Sequence, residues 1–320
     1  MADPLKKADD KSKRLELLTE LQQSPQLTPS QKSWLKDEYH RVLKGMQGER
    51  DAAFYLDSYF KDNANCVVMH DLRFVGEGGV AQIDHLVITR TAEMLLFETK
   101  NYAGNLHINE LGEFTAVYGR NRYGIPSPIE QSHRHERVLS QLLKTLGIAP
   151  RLGGKMDFHH IVLLNPQAII TRPPSKTFDS SGVMKADQIP SWYKQFADNK
   201  ELGAFGVLKL LSNARSTETI REWGEKLIGQ HRPADLLALP DFIKPQPQIT
   251  THRPQTAPPA DGSSGGGLAA KPSLPTEAPS KKLLCAHCGQ KITYAEAKFC
   301  WNNEKRFGSL QYCREHQGLF

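Results

Sequence analysis

Several things are missing from this chain of 320 residues, and each absence narrows what it can be. No stretch reaches the roughly 18 uninterrupted apolar residues that a membrane-crossing helix needs, so no membrane partner is expected. The first residues, Met1 to Arg14, are polar and mixed in charge. They lack the apolar segment of a secretory signal, which points to a cytoplasmic protein. No Gly-x-x-x-x-Gly-Lys-Ser/Thr sequence is present to cradle a nucleoside triphosphate. ATP-driven translocation would therefore have to come from a protein partner with helicase or translocase activity. No internal repeat recurs at a period of about 20 to 50 residues, which argues against a repeat architecture. A large excess of one charge is missing too: 41 Lys and Arg against 35 Asp and Glu leave a formal net charge of +6. That balance permits nucleic-acid binding without requiring it.

Cysteine is scarce over most of the chain. Of five, four fall between Cys285 and Cys313, and in a reducing compartment such clustering suggests a metal rather than disulfides. Cys66 stands alone beside Val67 and Val68 and reads as a small buried apolar residue.

The pattern divides the chain into a helical or tail segment (1–44), a larger folded region (45–232), a linker (233–281) and a compact C-terminal module (282–320). The first 30 residues read as a loosely held helix or tail. Gln31 to Phe60 is helical in pattern, with a break expected near Gly45 to Gly48. Extended runs follow at Cys66–Met69, Gln82–Thr89 and Met94–Thr99, the last two joined as a hairpin through Arg90–Glu93. In the second run the alternation places Ile83, His85, Val87 and Thr89 on one face and Asp84, Leu86 and Ile88 on the other. Leu106 to Tyr118 adds a further strand or two. Ser127-Pro128-Ile129-Glu130 predicts a capped helix that runs to about Leu146 and stops at Gly147. Phe158 to Leu164 reads as a buried strand, and Trp192–Phe196, Phe205–Leu211 and Thr217–Ile228 as helices. From Pro233 to Ser280 the composition turns to Pro, Gln, Ala, Thr, Ser and Gly, with a Ser-Ser-Gly-Gly-Gly tract at Ser263 to Gly267. Such a sequence buries too little apolar surface to offset its ordering entropy and predicts a flexible linker.

The strongest chemical signal is Gln82-Ile83-Asp84-His85, followed 14 residues after Asp84 by Glu98-Thr99-Lys100. Adjacent strands would set Asp84 and Glu98 at neighbouring points of one sheet edge, and Glu98 and Lys100, two apart, project together. Two carboxylates within reach can hold Mg²⁺, a hard cation that prefers oxygen ligands and keeps several waters. A metal there polarises a phosphate and lowers the pKa of bound water. Lys100 can orient or activate that water, or stabilise charge developing on phosphorus. Glu49 shares the core-facing stripe of its helix with Ala52, Ala53, Leu56 and Phe60, so it needs a partner or a task, unless it only occupies a first helical turn. Gln131 opens the Ser127-capped helix on the face of His135, Val138 and Leu142 and can reach the sheet edge, or is simply a polar first-turn residue.

Gly48-Glu49, Gln82-Ile83-Asp84-His85-Leu86-Val87-Ile88, Leu96-Phe97-Glu98-Thr99-Lys100-Asn101 with Gly104, and Pro128 with Gln131 occur in that order. Together they resemble the NERD (nuclease-related) domain, a branch of the PD-(D/E)XK nuclease superfamily. The motifs span about Gly45 to Leu146, and the resemblance extends through Ile161–Leu164 to about Gln230. One departure is Ser127, where the family often has Asn before the proline; a cap is preserved. The resemblance implies a restriction-endonuclease-like α/β fold, a mixed central sheet flanked by helices. It suggests Asp84 and Glu98 as ligands of Mg²⁺ or Mn²⁺, Lys100 as the catalytic lysine, and Glu49 and Gln131 as supporting polar residues. His85 would position Asp84 or pack within the sheet.

Other residues read as structural. His133 and His135, two apart on a helix, point to different sides. Asp157, His159 and His160 flank an apolar strand and read as its edge and solvent side. Arg120, Arg122, Arg134 and Arg137 could contact phosphates but are ordinary surface residues in type.

In the C-terminal module, Cys285-Ala286-His287-Cys288-Gly289 has the form of a zinc knuckle, and Cys313-Arg314-Glu315-His316 supplies a second pair at the same spacing. Four such ligands suit tetrahedral Zn²⁺, with Cys300 as the alternative to His316. A module this small needs metal to fold. It resembles the zinc fingers or ribbons appended to NERD proteins and to bacterial type I topoisomerases. Lys281, Lys282, Lys291, Lys298, Lys305 and Arg306, with Tyr294, Trp301 and Tyr312, offer charge and stacking surface for DNA, or the module is a protein-binding or structural knob.

These features together predict a metal-dependent nuclease that hydrolyses DNA in processing, repair or defence against foreign DNA. The rival is a non-catalytic nucleic-acid or protein-binding module on a nuclease scaffold, and an RNA nuclease fits the same residues.

Overall fold

In the computed structural model the described residues are 3–76, 78–102, 104–151, 155–198, 214–243, 283–288, 290–308 and 310–319. The expected helix at Phe205–Leu211, and the expected linker from residue 244 onward, lie outside them.

The strands of the larger unit are β1 (Cys66–Gly76), β2 (Gly79–Thr89), β3 (Glu93–Lys100), β4 (Asn105–Ile108), β5 (Phe114–Tyr118), β6 (Asn121–Ile125), β7 (Asp157–Leu164), β8 (Ile170–Thr171) and β9 (Val183–Lys185). Two mixed sheets result. The first has the order β1-β2-β3-β7-β9, antiparallel as far as β3 and parallel beyond it; the second has the order β6-β5-β4-β8. The helices are α1 (Ser12–Gln23), α2 (Pro29–Phe60), α3 (Pro128–Thr145), α4 (Ile189–Asp198) and α5 (Thr217–Gly229).

Helices cover both faces of the first sheet, which makes the fold mixed α/β. On one face Val138, Leu139 and Leu143 of α3 and Ile220, Trp223 and Leu227 of α5 pack on Met69, Leu72, Leu86, Ile88, Met94 and Leu96. On the other, Ala52, Leu56 and Phe60 of α2 and Ile189 at the start of α4 pack on Val87, Leu95, Phe97, Ile161 and Leu163. Strand β7 lies between β3 and β9 and is apolar on both faces at its C-terminal end, as a buried parallel strand should be. No helix among the described residues is long and apolar enough to cross a membrane.

Three local expectations change. The N-terminus is not loosely held: Leu5 N–H donates to Val68 O at 2.7 Å, Lys6 O accepts from His70 N–H at 2.9 Å, and Leu18 of α1 is fully buried. Residues before α1 thus add a short parallel rung to the free edge of β1. Pro233–Ile243, the start of the expected linker, also carries fixed contacts. Arg14 donates to the Ala238 carbonyl at 2.6 Å, and Phe242 meets Trp34 edge-on at 5.2 Å.

Helix α2 does not break at Gly45–Gly48 but runs through 32 residues. A mid-helix glycine costs about 1 kcal/mol relative to Ala, and the burial of Ala52, Leu56 and Phe60 offsets it. Gly48 serves close approach instead: a Cβ there would come within 2.6 Å of Asn101 Cβ, just beyond β3, and Asn101 Nδ2 in turn donates to Lys44 O at 2.9 Å. Cβ is fixed to the backbone, so the end of β3 would have to move. Gly48→Ala should therefore destabilise the fold by about 1–3 kcal/mol despite the better helix propensity; an unchanged or raised melting temperature would contradict this packing account.

Candidate functional site

The site forms where β2 and β3 part. Their ladder ends at the His85–Phe97 rung, while β3 continues against β7 as far as the Lys100–Leu164 rung. Beyond the last β2–β3 rung the Asp84 carboxylate takes the Thr99 amide: Thr99 N–H donates to Asp84 Oδ2 at 2.7 Å.

A second irregularity places Asp84. The β1–β2 ladder keeps one register from Cys66–Thr89 to Gly76–Gly79, but its Asp71–Asp84 rung is missing, and Asp71 adopts a left-handed φ of 53°. The pleat shifts there. Ile83 joins Leu86 and Ile88 in one core, whereas Val87 packs in the other, so the expected face shared by Ile83, His85 and Val87 does not form.

Lys100 occupies the centre of the site. Its ammonium donates to Glu98 Oε1 at 2.7 Å and to Gln131 Oε1 at 3.0 Å. Gln131 is placed by the α3 N-terminus, where the Ser127 hydroxyl accepts from Glu130 N–H; of the expected capping box, this Ser127 half forms. His135, one turn on from Gln131, sets Nδ1 3.7 Å from Glu98 Oε2. Burial, helped by Arg134 and Lys100, holds the His135 imidazole down to about 4, so it is neutral at physiological pH. The four-residue spacing from Gln131 was the sequence signal for His135.

Glu49 takes a different partner from any the sequence suggested. Lys11 donates to Glu49 Oε2 at 2.8 Å and lies 3.3 Å from Asp71 Oδ2. Burial opposes the Lys11 charge, but Glu49 and Asp71 outweigh it and raise the ammonium pKa. Behind the site runs a polar line whose two central histidines are buried. Asp57 Oδ1 lies 2.9 Å from His70 Nε2, His70 Nδ1 lies 2.8 Å from His85 Nδ1, and His85 Nε2 lies 3.1 Å from Thr99 Oγ1. His85 and Asp84 thus both engage Thr99, His85 at its hydroxyl and Asp84 at its amide. Burial, with His70 and Lys11 nearby, pushes its pKa well below the ordinary value.

Burial pushes Asp84 well above the usual carboxylate range, and the Glu98 and Glu49 charges add to the rise against the Thr99 amide and Lys100. Burial also raises Glu98, with Lys100 pulling it back. A divalent cation relieves this kind of repulsion. Among the described residues the oxygens of Asp84, Glu98 and Glu49 do not all come within 4.8 Å of one another. Asp84 and Glu98 alone remain as a pair of buried, mutually repelling oxygen donors of the kind a hard divalent cation would suit.

A stability consequence follows. A carboxyl whose pKa is raised on folding stabilises the fold below its ordinary value, 3.8 for Asp, and loses that contribution as pH rises through the folded value. At neutral pH an ionised Asp84 opposes folding. Asp84→Asn keeps an acceptor for Thr99 N–H, so at neutral pH and without added divalent metal it should be more stable than wild type by on the order of 1 kcal/mol. The gain should vanish under acid conditions. Thermal melts at both pH values test it, and a variant less stable at neutral pH would refute it.

Near this site, Tyr118 and Tyr123 stand exposed at the end of the β5–β6 hairpin with Arg120 and Arg122. Strand β6 was missed in the sequence, where Asn121–Ile125 shows no apolar alternation. A Cβ at Gly104 would lie 2.1 Å from Val117 O, so that glycine allows the chain leaving β3 to pass against β5. Arg134 and Arg137 are exposed on α3.

Of Asp157, His159 and His160, expected at the edge and solvent side of their strand, Asp157 is exposed and His159 partly so, but β7 is not an edge strand. His160 is held between α3 and the sheet, its Nδ1 2.7 Å from Ser132 Oγ. Cys66 is half-buried, with Sγ 3.2 Å from the Tyr193 hydroxyl.

In the C-terminal unit, Leu284 and Lys291 pair in an antiparallel bridge, with Ile292 N–H donating to Leu283 O and Cys285 N–H to Gln290 O. Helix α6 (Tyr294–Asn302) follows, with a full Thr293–Glu296 capping box, and then α7 (Glu304–Phe307). Cys285, Cys288, Cys313 and His316 bring one ligand atom each to within 4.8 Å of the others, with His316 Nδ1 3.0 Å from Cys313 Sγ. Cys300 lies outside this group: it is fully buried and accepts from Tyr312 N–H at 3.2 Å. Burial works against the Cys285 thiolate, but backbone N–H groups of Cys313, Cys288 and His287 bring its pKa down to about 6. Tyr312 is core rather than stacking surface, while Trp301 is exposed. Lys281 and Lys282, and the side chains of Tyr294 and Lys305, lie outside the described residues.

No curated protein and no solved structure matches the chain. The nuclease-related domain (NERD) family matches residues 44–165, the span that carries Glu49, Asp84, Glu98, Lys100 and Gln131 and the strand β7 against which their sheet continues.

Proposed function

We propose that this chain is a Mg²⁺-dependent nuclease that cleaves DNA. The observation that carries the reading is the placement of Lys100. Its ammonium is fixed by Glu98 and Gln131, one strand away from Asp84, at the point where β2 and β3 separate. An ammonium has three donors. With two taken by Glu98 and Gln131, the third can meet a phosphate oxygen or the attacking water. Asp84 and Glu98 would hold the divalent cation, which when bound polarises the phosphate and acidifies its water.

In hydrolysis, water oxygen bonds to phosphorus, the bond to one sugar oxygen breaks, and that oxygen takes up a proton. Lys100 stabilises the negative charge that develops meanwhile, and Gln131 keeps it aimed. His135, with Nδ1 3.7 Å from Glu98 Oε2, stays neutral and adds no competing charge there. The exposed Arg134 and Arg137, and the Tyr118–Tyr123 hairpin with its arginines, give phosphate and base-stacking contacts beside the site. The four-ligand cluster of Cys285, Cys288, Cys313 and His316 suits structural Zn²⁺, and the module it organises would add a further nucleic-acid contact through Lys291, Lys298 and Trp301.

The test is cleavage of labelled single- and double-stranded DNA and RNA with Mg²⁺ or Mn²⁺, comparing wild type with Glu98→Ala and Lys100→Ala. Cleavage by wild type that both folded variants lose supports the reading and names the substrate. Nucleic acid bound but uncut by all three would favour a binding module on a nuclease scaffold.

A further inference from the structure

Away from the carboxylates, α3 and β7 bring a second set of ligating atoms together. His133 and Glu136 are three apart on α3 and so project from one stripe of the helix. His160 reaches them from β7. Its Nε2 lies 3.0 Å from Glu136 Oε2, and His133 Nδ1 lies 3.4 Å from the same oxygen. One ligand atom from each of the three lies within 4.8 Å of the others, and the two imidazole centroids are 3.9 Å apart.

The position of His160 is unusual for its chemistry. It pairs with Leu96 across the parallel ladder of an interior strand, and its side chain is 10% exposed. Its neighbours along β7 on the way into the core are apolar. A polar ring in such a place needs partners on both nitrogens, and it has them: Glu136 on Nε2 and the buried Ser132 hydroxyl on Nδ1. The opposite side of the cluster is open, with His133 and Glu136 42% and 32% exposed.

We propose that His133, Glu136 and His160 form a transition-metal site that takes a borderline dication such as Zn²⁺, distinct from both the Asp84–Glu98 site and the C-terminal cysteines. Two imidazole nitrogens and one carboxylate oxygen are the donor set of Zn²⁺ and its neighbours rather than of Mg²⁺ or Ca²⁺. Solvent on the open side completes four-coordination. Ser132 supplies the outer shell. Without metal, His160 Nε2–H donates to Glu136, and the Ser132 hydroxyl donates to Nδ1. With metal, the Nε2 lone pair faces the ion, and Nδ1–H donates to the Ser132 oxygen. A hydroxyl both donates and accepts, so its rotation alone accommodates the change. The ion would pin α3, the helix that also carries Gln131 and His135, to β7.

The experiment is a Co²⁺ titration of the full chain given a single equivalent of Zn²⁺, which the three thiolates take first, with Mg²⁺ in excess. Wild type is compared with His133→Ala/Glu136→Gln, folding being checked by circular dichroism. Both replaced side chains are partly exposed; if the double variant folds poorly, the isosteric Glu136→Gln alone carries the same expectation. Wild type should take up one more equivalent than the variant. The additional cobalt should show visible d–d absorption without intense thiolate charge transfer. Equal uptake by wild type and variant, or cobalt seen only with thiolate charge transfer, would overturn the site.

Discussion

Removing the Glu98 carboxylate should lower phosphodiester cleavage by about a thousandfold, within the roughly 10²–10⁴ range for a group that acts directly on the reacting centre. Three losses coincide in Glu98→Ala. One of the two carboxylates that would hold the cation disappears. Lys100, whose side chain is only 21% exposed, keeps Gln131 but loses its charged acceptor. His135 loses the carboxylate that faces it. Glu98→Gln separates these effects, because the amide oxygen can still accept from Lys100 while the charge is gone. If charge at this position holds the cation, Gln should be nearly as damaging as Ala; a Gln variant retaining more than about a tenth of wild-type activity would contradict that role.

Lys100→Ala should cost roughly 10²–10³ in rate, and it should also alter the pH profile. Lys100 lowers the carboxyl pKa of both Glu98 and Asp84, so its loss lets burial push both further up. Activity needs the ionised forms and disappears as pH falls through these values. The acid limb should therefore move to higher pH in Lys100→Ala, partly restoring relative activity under alkaline conditions. A uniform drop at every pH would assign Lys100 to transition-state charge alone.

How much of this could be read from the sequence depended on how local the cause was. Strands around Asp84 and Glu98 are visible because β2 and β3 are short, apolar-rich runs joined by a three-residue turn. Placing Glu98 beside Lys100 needs only the two-residue repeat of a strand. Gln131 was visible because Ser127 and Pro128 fix where α3 starts, and hence which residue opens it.

The parts that were not legible depend on distant contacts or on rare backbone states. The shift of pleat at Asp84 is bound up with a left-handed Asp71 across the ladder, and no pattern within Gln82–Thr89 reports it. Lys11 reaches Glu49 across 38 residues from a segment that looks like a polar tail. The glycines at 45 and 48 look like a helix break because the sequence does not show Asn101 pressing on Gly48. His160 looked solvent-facing because Asp157 to His160 is polar on paper. Only the sheet order shows that the strand is interior and that α3 supplies its polar partners.

Stripping metal from the C-terminal cysteines should unfold residues 283–319 while leaving the five-stranded sheet intact. Among the described residues of this segment the buried ones are Cys285, Ile292, Ala297, Cys300, Phe307, Tyr312 and Cys313, three of them cysteines and only a few large and apolar. Burial on that scale cannot balance the conformational entropy of some 35 residues, whereas structural zinc supplies about 10–16 kcal/mol in small fingers. Cys285→Ser should reproduce the effect of chelation by removing a ligand. Cys300→Ser should not: its sulfur accepts from Tyr312 N–H at 3.2 Å, outside the ligand group, so zinc content should be kept. The pH dependence has a definite sign. The Cys285 thiol sits at about 6, below its ordinary 9.0, so the stability it contributes is present at high pH and lost as pH falls through about 6. Zinc binding needs the deprotonated thiols, so zinc affinity should weaken as pH falls. Hydrogen exchange read peptide by peptide, with zinc counted alongside, separates the two units of the chain. Protection retained in 283–319 after all zinc has left would mean that apolar packing alone holds the segment, and the four-ligand cluster would then not be what folds it.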